Sequence, residues 1–200
     1  MEVVKSQNFK ILKYAIVIFL GSILLAISSK IKIPFYPVPM TMQTFVVIFL
    51  GIAFGWKVGV ATISLYIIEG IIGLPVFSGT PEKGIGLTYL MGPTGGYLFG
   101  FLVATYLAGS FKYDYVNIKK VKLNPKYPII VRYLDGISSL IIEITKNLIK
   151  LLFAVSFIYI FGLLWLGFLI GWDKPIFQLG ALPFLTAELF KMLILSITAA

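Results

Sequence analysis

Leu151 to Ile170 reads LLFAVSFIYIFGLLWLGFLI, without a charge or a proline, and its length is the roughly 20 apolar residues that cross a bilayer as a helix. Two further uncharged runs, Ile33 to Trp56 and Gly84 to Phe111, are at least as long. Of the 200 residues 59% are hydrophobic and 12% charged, against roughly 45 to 50% and about 25% in a soluble domain. A water-exposed fold has no core large enough for that excess. The chain reads as an all-α polytopic membrane protein, a single transmembrane domain over residues 1–200.

Six transmembrane helices account for the sequence: about 11–29, 41–55, 57–73, 93–111, 146–170 and 182–200. The second and third are short and meet at Gly55, Trp56 and Lys57, which predicts a tight hairpin. Basic residues set the orientation, because cytoplasmic loops carry the excess of Lys and Arg. Lys5, Lys10, Lys13, Lys57 and the basic residues from Lys112 to Lys150 fall on one side, whereas Lys30, Lys32, Lys83 and Lys174 fall on the other. Both termini are expected in the cytoplasm of a cell-membrane protein, with a polar cytoplasmic loop at about 112–146, broken by Asn124, Pro125, Lys126, Tyr127 and Pro128. That loop has two readings, a solvated segment at the lipid headgroups or a partner-docking surface. The net charge of +9 is read as this topology signal, with no nucleic acid implied. The first apolar run follows a short polar stretch, lacks a small-residue cleavage pattern and is expected to be retained as a helix.

The chain contains no cysteine and no histidine, which removes thiolate, imidazole, haem and most zinc chemistry. It contains no G-x-x-x-x-G-K-[ST] loop for nucleotide, and neither G-x-S-x-G nor H-E-x-x-H. The scattered acids Glu69 and Glu188 do not make a catalytic pair by spacing. The reading is a non-enzyme, with any energy from ATP supplied by a partner.

Glu188 and Lys191 are three residues apart in an otherwise apolar run, so they share one helix face. A charge at mid-bilayer is disfavoured by about 2.5 to 3.5 kcal/mol and normally faces a cavity or a counter-charge. Two readings are open: a mutually neutralising ion pair, or a polar clamp in which the carboxylate accepts ligand N–H groups and the ammonium donates to a carbonyl or carboxylate. Glu69, near a helix end, either reaches the interface or touches substrate. Two interruptions fall on the same predicted outer side. One is Ile33-Pro34-Phe35-Tyr36-Pro37-Val38-Pro39-Met40-Thr41-Met42-Gln43, where Pro34, Pro37 and Pro39 forbid helix. The other runs from Gly73 to Gly79 and on through Gly92-Pro93-Thr94-Gly95-Gly96-Tyr97. Singly, each is an ordinary turn. Converging with Glu188 and Lys191 they would line an outward-facing pocket, since non-helical backbone at membrane depth persists only where it is buried or lines a cavity. The candidate ligand-binding residues are Glu188, Lys191, Thr41, Gln43, Gly92, Thr94, Gly95, Gly96 and Tyr97, with Gly95 and Gly96 admitting close backbone approach.

Pro37-Val38-Pro39-Met40-Thr41-Met42-Gln43-Thr44, Gly73-Leu74-Pro75-Val76-Phe77 and Gly92-Pro93-Thr94-Gly95-Gly96-Tyr97-Leu98-Phe99-Gly100-Phe101, followed by 159–166 and 182–185, resemble in order the biotin substrate-binding (S) components of energy-coupling factor transporters, the BioY family. The resemblance covers about residues 11–200. It implies a six-helix protein that binds biotin from outside and, with a transmembrane coupling (T) protein and two ATP-binding subunits, releases it inward; biotin is cargo and no cofactor is implied. Another vitamin, or a ligand-free scaffold subunit, is the alternative. The family's acidic residue and lysine fall on Glu188 and Lys191 as ligands to biotin. This chain has Glu where Asp is usual and Ala187 where Gly is common. Thr80, Pro81, Glu82 and Lys83 replace a glycine-rich run, and the 112–146 segment is longer than expected. Ser22 and Ala26, at small-x-x-x-small spacing beside Gly21, give helix one a shallow face. That face either packs within the chain or, as the resemblance implies, docks the coupling protein.

Overall fold

A computed structural model describes residues 2–79, 84–113 and 129–199. Helices α1 (Glu2–Lys30), α2 (Gln43–Ile71), α3 (Leu87–Leu90), α4 (Gly95–Ser110), α5 (Ile129–Ile170), α6 (Ile176–Gly180) and α7 (Leu185–Thr198) dominate it, with a 3-10 turn at Leu182–Phe184 before α7. Strands β1 (Lys32–Ile33) and β2 (Met40–Thr41) pair antiparallel, Lys32 opposite Thr41 and Ile33 opposite Met40. The prolines between them carry the chain out and back.

The expected hairpin is present inside α2. Gly55 has φ 76° and ψ 166°, a conformation essentially confined to glycine, and there the chain reverses. The proof is a hydrogen bond: Gln43 Nε2 donates to the Tyr66 hydroxyl at 2.7 Å. In a straight helix those positions would lie roughly 35 Å apart at 1.5 Å per residue. The two arms, 43–54 and 56–71, therefore run side by side, and four apolar helical stretches long enough to span a bilayer, 10–30, 43–71, 136–170 and 176–198, contain one that is folded on itself.

Helix α4 is central and packs on both α2 and α5. Its glycines permit this. A Cβ on Gly100 would sit 2.6 Å from the Ile158 Cα on α5, and one on Gly51 of α2 would sit 2.8 Å from the Thr105 carbonyl oxygen on α4. The outer surface is apolar: Phe19, Leu20 and Ile27 on α1, Ile160, Leu164 and Phe168 on α5, and Phe190, Ile194 and Ile197 on α7 are exposed, Phe168 by 82%. Helices with apolar outward faces of this extent fit lipid as solvent.

One expectation needs correction. Helix five was placed at 146–170, yet it starts at Ile129; Glu143 and Lys146 pair at 3.0 Å on one helix face, so charges read as loop are carried on helix. At 42 residues α5 is roughly 63 Å long, about twice the hydrocarbon thickness. The small-residue face of α1 makes contacts within the chain. Ser22 is fully buried and donates to Glu69 Oε1 at 3.0 Å, Ala26 is half-buried against the core, and a Cβ on Gly21 would meet the Thr62 methyl at 2.7 Å. Glu69 is thereby tied to α1. Asn124–Pro128 and Thr80–Lys83 lie outside the described residues.

Candidate ligand-binding site

One end of the bundle gathers the β1–β2 loop, the start and end of α2, residues 72–79 and 84–94, the start of α4 and the approach to α7. They enclose a cavity with about 540 Å³ of non-atom space, its mouth included. Val38 and Pro39 dip into it from the proline loop, while Tyr36 at the tip of that loop is 88% exposed. Phe35 meets Phe184 edge-on at 5.7 Å, which ties the loop to the start of α7.

The wall is largely aromatic. Phe77 is fully buried, stacks on Tyr89 at 4.8 Å and meets Tyr66 edge-on at 5.4 Å. Its ring occupies the space a Cβ would take at Gly70. The backbone beneath it is held carbonyl by carbonyl: Val76 O accepts from Ser29 Oγ at 2.7 Å and from the Tyr66 hydroxyl at 3.1 Å, Phe77 O from Lys30 Nζ at 2.7 Å, and Ser78 O from Lys32 Nζ at 2.7 Å. On α4, the Tyr97 hydroxyl donates to Gly180 O at 2.8 Å.

Glu188 and Lys191 are both buried and 2.8 Å apart. Thr44 Oγ1 donates to Glu188 Oε1 at 2.8 Å. Lys191 Nζ donates to Thr44 Oγ1 at 3.0 Å and to the Thr41 carbonyl at 2.7 Å. Glu188 Oε2 is buried and has no hydrogen-bond partner, as is Ser78 Oγ, and both residues line the cavity. An unpaired buried polar atom is costly, about 1 to 3 kcal/mol, and calls for an explanation; Glu143 Oε2 and Asn147 Oδ1 are also unpartnered but lie outside this cavity.

Of the residues named from sequence, Thr41, Gln43, Thr94, Tyr97 and Glu188 are in the wall. Lys191, Gly92, Gly95 and Gly96 are not. The Gly92 carbonyl is taken by Trp165 Nε1 at 2.9 Å, Gly95 lies against the Leu90 carbonyl, and Gly96 lies against Trp165 and Phe161 of α5. The close approach at Gly95 is to α3 and that at Gly96 is to α5. Sequence reasoning missed Ser78, Tyr66, Phe77, Tyr89, Tyr159 and Phe184 in the wall. Phe77, Ser78, Tyr159 and Phe184 did stand within quoted stretches, but nothing in their spacing distinguishes a cavity wall from a core.

A family profile described as the BioY family matches residues 4–200. The probable biotin transporter BioY of Pyrococcus horikoshii is 33% identical over 168 residues, 84% of this chain and 82% of that one. Biotin transporter BioY2 of Lactococcus lactis is 30% identical over 96% of this chain and 90% of its own. The crystal structure of an S-component for biotin from an ECF-type ABC transporter superposes with a TM-score of 0.67, at 23% identity, over 96% of this chain and 91% of that one. At that identity the last likeness speaks to the fold.

Proposed function

The chain belongs to the BioY family, and on that premise we propose that it is the biotin-binding substrate component of an energy-coupling factor transporter in the cell membrane. Glu188 carries the reading: the charged residue of a cavity wall that is mostly aromatic and aliphatic, with one carboxylate oxygen buried and unpartnered. That oxygen accepts N–H donors, and the ureido ring of biotin presents a pair of them beside a compact apolar thiophane ring. An apolar cavity with few placed polar groups suits such a molecule. Thr41, Gln43, Thr94 and Tyr97 are proposed as further wall contacts.

With α2 folded at Gly55, the chain crosses six times, and the cavity end faces outward. Lys10, Lys13, Lys57, Lys146 and Lys150 belong to the opposite end, which puts both termini in the cytoplasm by the distribution of basic residues. Inward delivery then depends on a transmembrane coupling protein and two ATP-binding subunits, since this chain has no phosphate-binding loop of its own.

The test is mass spectrometry of small molecules extracted from the denatured, natively purified protein. Biotin is the expected species. Recovery of a different vitamin, or of none from protein that also fails to take up added biotin, would reject the assignment.

A further inference from the structure

Lys191 stands behind Glu188 and outside the cavity wall. Its ammonium has three N–H donors, and the acceptors are the Thr41 carbonyl at 2.7 Å, Thr44 Oγ1 at 3.0 Å and Glu188 Oε1 at 2.8 Å. Thr44 Oγ1 donates its own hydrogen bond to Glu188 Oε1 at 2.8 Å, closing a triangle. Oε1 therefore receives two bonds while Oε2 receives none. The Thr41 contact also ties α7 to the end of β2, so the carboxylate is fixed by elements on both sides of it.

We propose that Lys191 is a positioning residue: together with Thr44 it holds Glu188 so that Oε2 alone of this trio is offered to the ligand. This deepens the biotin reading and rests on it. The ligand group that meets α7 is then an N–H donor, and a ligand carbonyl or carboxylate finds no free proton on Lys191. Such groups must be met elsewhere in the wall, where the Ser78 hydroxyl is the other buried polar atom without a partner.

The experiment is a double-mutant cycle on biotin affinity with purified protein. Lys191→Met in the wild-type background should weaken binding by about tenfold or more, as loss of a charge-assisted bond does. In the Glu188→Ala background the same substitution should change affinity by no more than about twofold, the usual error of additivity. Thr44→Val, which leaves the ion pair in place, should behave the same way with a smaller loss. A Lys191→Met or Thr44→Val loss that persists without Glu188 puts those groups on the ligand and overturns the proposal, as does unchanged affinity in both single variants. A second readout needs no ligand. The carboxylate infrared band that vanishes in Glu188→Ala should shift in Thr44→Val and Lys191→Met, and an unmoved band overturns the clamp whether or not biotin binds. Wild-type protein that binds no biotin yet shows those shifts sinks the functional reading and leaves the clamp standing.

Discussion

Single residues divide sharply between those whose type announces their task and those whose place decides it. Glu188 was legible because a carboxylate in an apolar run must be paired or placed against a cavity. Lys191 was legible as its partner, but i, i+3 spacing cannot tell which of two charges meets the ligand, since that depends on Thr41 and Thr44, far away in sequence. Ser78 lay in the Gly73–Gly79 stretch read as pocket-lining but was not singled out, because an isolated serine in a loop is ordinary until its hydroxyl is found buried and unpartnered. Ser22 was read in two ways, and its bond to Glu69 supports internal packing. Ser22→Leu should therefore lower the yield and thermal stability of the isolated chain, and a stable, well-expressed variant that merely loses its coupling partner would contradict that placement. At Gly70 the Phe77 ring fills the position of a Cβ. Gly70→Ala should cost about 1 to 3 kcal/mol of stability, the range for overpacking, and should weaken ligand binding as well because Phe77 is part of the wall. Thermal denaturation and binding assays on the one variant check both.

Elements were read best where punctuation is strong. The prolines at 34, 37 and 39 announced the extended excursion, and Gly55 the reversal within α2. The start of α5 was missed because charged residues in a helix that outruns the bilayer look, in a hydropathy reading, like a loop. The α4 glycines were recognised as places of close approach, but what approaches is α3 at Gly95 and α5 at Gly96, a fact that requires knowing which helices are neighbours. Gly55 separates conformation from packing: a Cβ there would touch nothing within 4 Å, yet φ is 76°. Gly55→Ala should thus lose about 1 to 3 kcal/mol through backbone strain alone, with the melting temperature lowered and the cavity intact by ligand affinity. An unchanged melting temperature would show that the reversal does not depend on glycine. The 76–78 backbone hangs from Ser29, Lys30, Lys32 and Tyr66. Lys32→Met should accelerate amide hydrogen exchange across 76–79 relative to the rest of the chain, and a uniform exchange pattern would argue against the tether.

At the scale of the whole molecule, composition and charge distribution carried the class of protein, and a long family resemblance carried its purpose; the cavity and its polar atoms required coordinates. Orientation is testable because the chain has no cysteine. A single cysteine replacing exposed Lys57 should react with an impermeant reagent only from the cytoplasmic side, and one replacing Lys174 only from outside. Reaction of both from one face would overturn the proposed crossings. The central claim is that the cavity takes biotin and that Glu188 is its charged contact. Calorimetric titration of biotin into purified wild-type and Glu188→Ala protein addresses it directly. The account predicts a saturable site in the wild type and a loss of about 1.5 to 3 kcal/mol in the variant, the worth of a hydrogen bond to a charged group. Equal affinity in two well-folded proteins, or no binding to either, would contradict it.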